Sequence, residues 1–145
     1  MNIKDFAVEV HKNAIKHGWW EDERSFGDLI ALCHSELSEA LEEYRNGHKP
    51  TETYYSCQAP KDEIDKMMAG KGSGINGCPS CDKGGCKNTC KGHYGKMEGI
   101  PSELADVIIR VLDMCEHYGI DIEATLKEKH EFNKTRPYKH GGKVM

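Results

Sequence analysis

Apolar side chains recur at helical spacing in four stretches of the chain. In the first, Ile3, Phe6, Ala7, Val10, Ala14 and Ile15 form one stripe, and Gly18 follows as a C-cap, which predicts a helix over residues 3–17. A second helix is predicted from Ser25 to Arg45. Ser25 and Asp28 form a capping-box-like pair at its start, Asn46-Gly47 stops it, and its apolar face is Leu29, Ile30, Cys33, Leu37, Ala40, Leu41 and Tyr44. The third begins at Ile100, with Pro101 in its first turn and a wide stripe of Leu104, Val107, Ile108, Val111, Leu112 and Cys115, and ends at Tyr118-Gly119. Asp121 then caps a fourth helix that runs to about Asn133, with Ile122, Leu126 and Phe132 as its apolar contacts. No stretch alternates long enough to predict a strand.

Between the second and third helices the pattern stops. Residues 48–98 hold eight of the 15 glycines and no Leu, Val, Phe or Trp, so they cannot bury enough apolar surface to offset an ordering cost of roughly 1–2 kcal/mol per residue. A short helix over Lys61–Met68 is the one regular element expected there. The same segment carries Cys78-x2-Cys81-x4-Cys86-x3-Cys90, a spacing that suits one tetrahedral ion, with Gly84-Gly85 allowing tight turns. Structural Zn²⁺ on these four thiolates is the expectation, because metal binding would supply folding energy that the composition lacks. An iron–sulfur cluster and unligated or disulfide-forming thiols are the alternatives, and His93 or Cys57 is a substitute ligand. Cys33 and Cys115, on apolar helix faces, are expected to be core residues.

These features divide the chain into a first half of a helical bundle (1–47), a Cys-rich insertion (48–98), and a second half with a basic tail (99–145). The expected fold is all-α. A bundle of about 95 residues is thin as a monomer, and the wide apolar faces of the second and third helices predict a homodimer or homotetramer. With 37% hydrophobic residues, no long apolar run and no signal-peptide pattern at the N-terminus, neither membrane insertion nor export is expected, and the cytoplasm is the expected location. A net charge of -4 argues against a general polyanion binder, and the insertion has few aromatic residues for base stacking, so nucleic acid is not an expected partner.

The candidate chemistry lies in the acids. Glu36, Glu39 and Glu43 fall on one ridge of the second helix, with Glu42 beside them, and Glu103 and Asp106 share a face of the third. Taken singly, such pairs are ordinary solvated helix faces. Brought together, four carboxylates would repel unless a cation neutralised them, and an all-oxygen site selects a hard ion such as Mg²⁺ or Mn²⁺.

The set formed by SELSEALEEYR, PSELADVIIRVLDM and the C-terminal NKTRPYKHGGK resembles the MazG-like branch of the all-alpha NTP pyrophosphatase superfamily. The family's motif reads E-E-x-x-E followed by E-x-x-D on the next core helix. The likeness covers residues 15–47 and 99–143, and phage and bacterial relatives with a GWW segment and an RP-x-x-HGGK tail are closer still. Two departures are visible: Ser35 stands where the family usually has its first Glu, and the gap between the motif halves is lengthened by the insertion.

The resemblance implies a four-helix MazG-like bundle with Mg²⁺ (or Mn²⁺) held by Glu36, Glu39, Glu103 and Asp106. It implies cleavage of (deoxy)nucleoside triphosphates to monophosphate and pyrophosphate, with Asn133, Arg136 and His140 as nucleotide contacts. The residues agree with that chemistry. A carboxylate not saturated by metal can position or deprotonate the attacking water, Glu39 being the first choice and Glu36 the second. Residues 127–145 carry six Lys/Arg against two acids; Arg136 offers a bidentate phosphate contact and Lys129 a point charge. Of Trp19 and Trp20, one is expected to pack and the other to stack on a base. The competing reading is a non-enzymatic oligomeric adaptor that binds a partner or nucleic acid through the zinc knuckle.

Overall fold

A computed structural model describes residues 2–57 and 95–138. Four helices dominate these residues: α1 (Ile3–Lys16), α2 (Phe26–Arg45), α3 (Ile100–His117) and α4 (Ile122–Lys134). Two short strands, β1 (Tyr54–Cys57) and β2 (Gly95–Glu98), lie between α2 and α3 in sequence. The chain forms two compact units, one of Met1–Cys33 with Ile108–Met145 and one of His34–Val107. Among the described residues no helix is long and apolar enough to cross a membrane.

The helix boundaries follow from local chemistry. Asn2 caps α1, its Oδ1 accepting from the Lys4 N–H at 2.9 Å, and the chain leaves the helix through Gly18 at φ +76°. Ser25 and Asp28 make the reciprocal capping box: the Ser25 N–H donates to Asp28 Oδ2 at 3.0 Å, and the Asp28 N–H donates to Ser25 Oγ at 3.1 Å. The Ser25 hydroxyl, which donates to Asp28 Oδ2 at 2.7 Å, and then the Ser25 N–H hold the Asp28 carboxyl below its ordinary range. Asp121 Oδ1 accepts from the Ala124 N–H at 3.0 Å and so starts α4.

In the first unit Ala7, Leu29, Leu112, Met114 and Cys115 are buried, and α1 packs on α4. Each fully buried leucine contributes ~2 kcal/mol by removing its side chain from water. The Cys115 thiol is pushed up by burial and then by the neighbouring Cys33, which suits a packing role; neither is in a disulfide. In the second unit Ala40 and Ile100 are buried together with three polar residues, Glu36, Ser102 and Glu103. The stripes are only partly covered: Leu37, Leu41, Tyr44 and Leu104 are exposed, as are Ile108, Leu126 and Phe132.

The strands depart from the all-α expectation. β1 and β2 pair antiparallel, with Tyr54 opposite Glu98, Tyr55 opposite Met97, Ser56 opposite Lys96 and Cys57 opposite Gly95. Each has four residues, too few for an alternation to stand out, and the partners lie about 40 positions apart in sequence. Residues 58–94, including the helix expected over Lys61–Met68, lie outside the described residues.

Candidate metal centre

Two helices and the strand pair build the second unit's polar centre. Gly99 ends β2 at φ +101°, and a Cβ there would stand 2.5 Å from the Glu52 carbonyl oxygen, so both conformation and space require glycine. Its own carbonyl accepts from the N–H groups of Ser102 at 2.8 Å and Glu103 at 3.3 Å, opening α3. Ser102 Oγ donates to the Met97 carbonyl at 3.0 Å and ties this first turn back to the strand. Glu103 is thereby held near a helix N-terminus, where the backbone dipoles favour negative charge.

There, Glu36 of α2 and Glu103 and Asp106 of α3 each bring a carboxylate oxygen within 4.8 Å of the others. Glu36 and Glu103 are 6% and 5% exposed, so two acids are withdrawn from water beside a third. Burial pushes the Glu103 carboxyl above its ordinary range; Glu39, Asp106 and Glu36 add to the rise, and Lys96 opposes it. The donors are all oxygen, the cluster is partly dry, and like charges crowd it. This set fits a hard divalent cation.

Glu39 is not one of these three, although of the acids it adds most to the rise at Glu103. It is exposed and accepts weakly from Ser35 Oγ at 3.4 Å, while its charge still reaches Glu103. Glu43 is occupied elsewhere: Tyr54 Oη donates to both of its oxygens at 3.1 Å, and His48 Nε2 lies 3.7 Å away. His48 also stacks on the Tyr54 ring with centroids 4.9 Å apart. Glu43 thus anchors β1 to the end of α2. Glu42 faces Arg45 at 3.4 Å.

The remaining site residues belong to the first unit or lie beyond the described residues. Trp20 stacks on His117 with ring centroids 3.7 Å apart and planes 6° from parallel, and its Nε1–H donates to Asp113 Oδ1 at 3.1 Å. His11 Nδ1 meets the same oxygen at 2.6 Å, and Asp113 is buried. Trp19 has the Arg24 guanidinium 4.2 Å and the Arg110 guanidinium 5.1 Å from its ring centroid. Lys129 and Asn133 are exposed on α4, with Lys129 Nζ 5.6 Å from the Phe132 ring, and Arg136 follows the helix end. His140, Cys78, Cys81, Cys86, Cys90 and His93 lie outside the described residues, as does the Cys57 side chain.

Reading the sequence missed Lys96, Glu98 and the His11–Asp113–Trp20 network. Pairings this distant leave no periodic trace, although a buried acid flanked by Met114 and Leu112 was a visible oddity. No family model matches the chain, and neither a curated protein nor a solved structure does.

Proposed function

We propose that the chain is a MazG-like, Mg²⁺-dependent nucleoside triphosphate pyrophosphohydrolase. The observation that carries this reading is the convergence of Glu36, Glu103 and Asp106, from two separate E-x-x-[ED] motifs, to within 4.8 Å. Magnesium (or manganese), when bound, supplies counter-charge to the triphosphate and acidifies water for attack at phosphorus. Glu36, Glu103 and Asp106 would hold that ion through their carboxylate oxygens. Glu39, exposed and outside the triad, has the freedom to orient the attacking water and take its proton.

Lys129, Asn133, Arg136 and His140 remain the candidate phosphate and nucleotide contacts, and Trp19 the candidate stacking surface. Trp20 is a weaker candidate, since His117 covers a face of its indole. The exposed Leu37, Leu41, Tyr44 and Leu104 support assembly as a homodimer or homotetramer, which would take these side chains out of water. Structural Zn²⁺ on Cys78, Cys81, Cys86 and Cys90 completes the proposal.

The test is product analysis after incubation with a panel of NTPs and dNTPs in Mg²⁺. The parent chain is expected to release monophosphate and pyrophosphate, with Glu39→Gln slower by ~100-fold or more and Asp106→Asn inactive. Absence of turnover with every nucleotide, from protein of unchanged helix content, would overturn the enzyme in favour of the adaptor.

A further inference from the structure

β1 follows α2 and β2 leads into α3, and each strand is also bonded by a side chain to its own helix. On the α2 side, Tyr54 Oη of β1 donates to both oxygens of Glu43 at 3.1 Å. On the α3 side, Ser102 Oγ donates to the Met97 carbonyl of β2 at 3.0 Å, and Ser102 is buried. Between the two, the ladder sets Tyr54 opposite Glu98 and Tyr55 opposite Met97. Glu98 stiffens it, accepting from Ser56 Oγ across the pair at 2.7 Å and lying 3.0 Å from Lys96 Nζ on its own strand. The links therefore run in series from α2 to α3.

That series bridges the helices that carry the carboxylate cluster. Glu43 lies two turns, about 10 Å along α2, beyond Glu36, and Ser102 directly precedes Glu103 on α3. Glu36, Glu103 and Asp106 bring their oxygens within 4.8 Å of one another, so without a cation their repulsion works to part the two helices. Apolar burial offers little against it, since Leu37, Leu41 and Tyr44 of α2 and Leu104 of α3 are exposed.

We propose that Glu43, Tyr54 and Ser102 are positioning residues that, through the strand ladder, clamp α2 to α3 and hold the three acids together ahead of a divalent cation. The inference rests on reading that cluster as the metal site. Folding, through the clamp, supplies the cost of gathering the like charges, and an ion meets a site already formed. With the clamp slack, the ion must gather the acids itself, and affinity falls.

Mn²⁺ binding to the full chain, followed by electron paramagnetic resonance of the free ion, is the measurement. Tyr54→Phe and Ser102→Ala are each expected to weaken binding by about three- to tenfold. Because the bonds act in series, either break slackens the clamp, and the double variant is expected to bind no more than about twofold worse than the weaker single variant. Glu43→Gln keeps an acceptor for the Tyr54 hydroxyl and is expected to stay within about twofold of the parent. So is Ser25→Ala, which breaks the cap at the other end of α2 and serves as the control for a general loss of stability.

Parent-level binding by either single variant, losses that add in the double variant, or an equal loss in Ser25→Ala overturns the clamp and leaves the metal reading standing. Parent binding that survives Glu103→Gln, or no parent binding at all, overturns the metal reading and this inference with it. Should Ser102→Ala fail to fold, Tyr54→Phe against Glu43→Gln decides, and equal binding by these two overturns the clamp.

Discussion

Buried carboxylates occur in both units, in opposite company. Asp113 in the first unit receives hydrogen-bonding groups on one oxygen, from His11 at 2.6 Å and the Trp20 indole at 3.1 Å. Glu103 in the second unit is equally buried, yet its near neighbours are three other acids and one strand-borne ammonium. A buried charge surrounded by donors holds structure together. A buried charge surrounded by like charges costs stability unless a cation offsets it.

The contrast is broken most sharply at Asp113. Asp113→Ala leaves a half-buried imidazole and indole N–H without their acceptor, and is expected to cost about 2–3 kcal/mol in urea unfolding. Asp113→Asn, which keeps an acceptor, is expected to cost less, about 1 kcal/mol.

At Tyr54 the effect is intermediate. Tyr54→Phe removes the hydroxyl that donates to both oxygens of Glu43, and is expected to cost about 1 kcal/mol and speed amide exchange in β1. A loss larger than that of Asp113→Ala would mean that the strand anchor, not the Asp113 network, is the stronger tie.

The smallest effect, and the one of opposite sign, is expected at Glu103. Glu103→Gln relieves repulsion and is expected to leave stability unchanged or raised by ~1 kcal/mol at neutral pH while removing metal binding. The folded chain binds the Glu103 proton more tightly than the unfolded chain does. Stability therefore falls as pH rises from the ordinary glutamate range through the raised folded value, then levels off. The glutamine variant is expected to lack this decline, measured as unfolding midpoint against pH. A decline of the same size in Glu103→Gln would assign it to another group.

Much of the fold was legible because it is local. The capping pair Ser25–Asp28, the cap at Asp121 and the glycine stop at Gly18 mark helix ends by interactions spanning a few residues, and the structure has them where the sequence puts them. Glu36, Glu103 and Asp106 were legible for a related reason, since three-residue spacing fixes a helix face. Spacing says which acids share a ridge, not which side of it another helix covers. Hence Glu39 and Glu43, on the same ridge as Glu36, have different surroundings: one exposed, the other taken by Tyr54. The strand pair and the Lys96–Glu98 couple join residues some 40 positions apart, and nothing periodic in sequence signals such a match.

Pairing Cys57 with Gly95 and Tyr54 with Glu98 has a consequence for what a shift along one strand would do to the other. Side chains on a strand alternate faces, so a slip of one residue would turn Ser56 and Glu98 to opposite sides and break the hydrogen bond between them. The glycine junction that opens α3 follows directly on this strand, so the register of a four-residue ladder also sets where Glu103 begins.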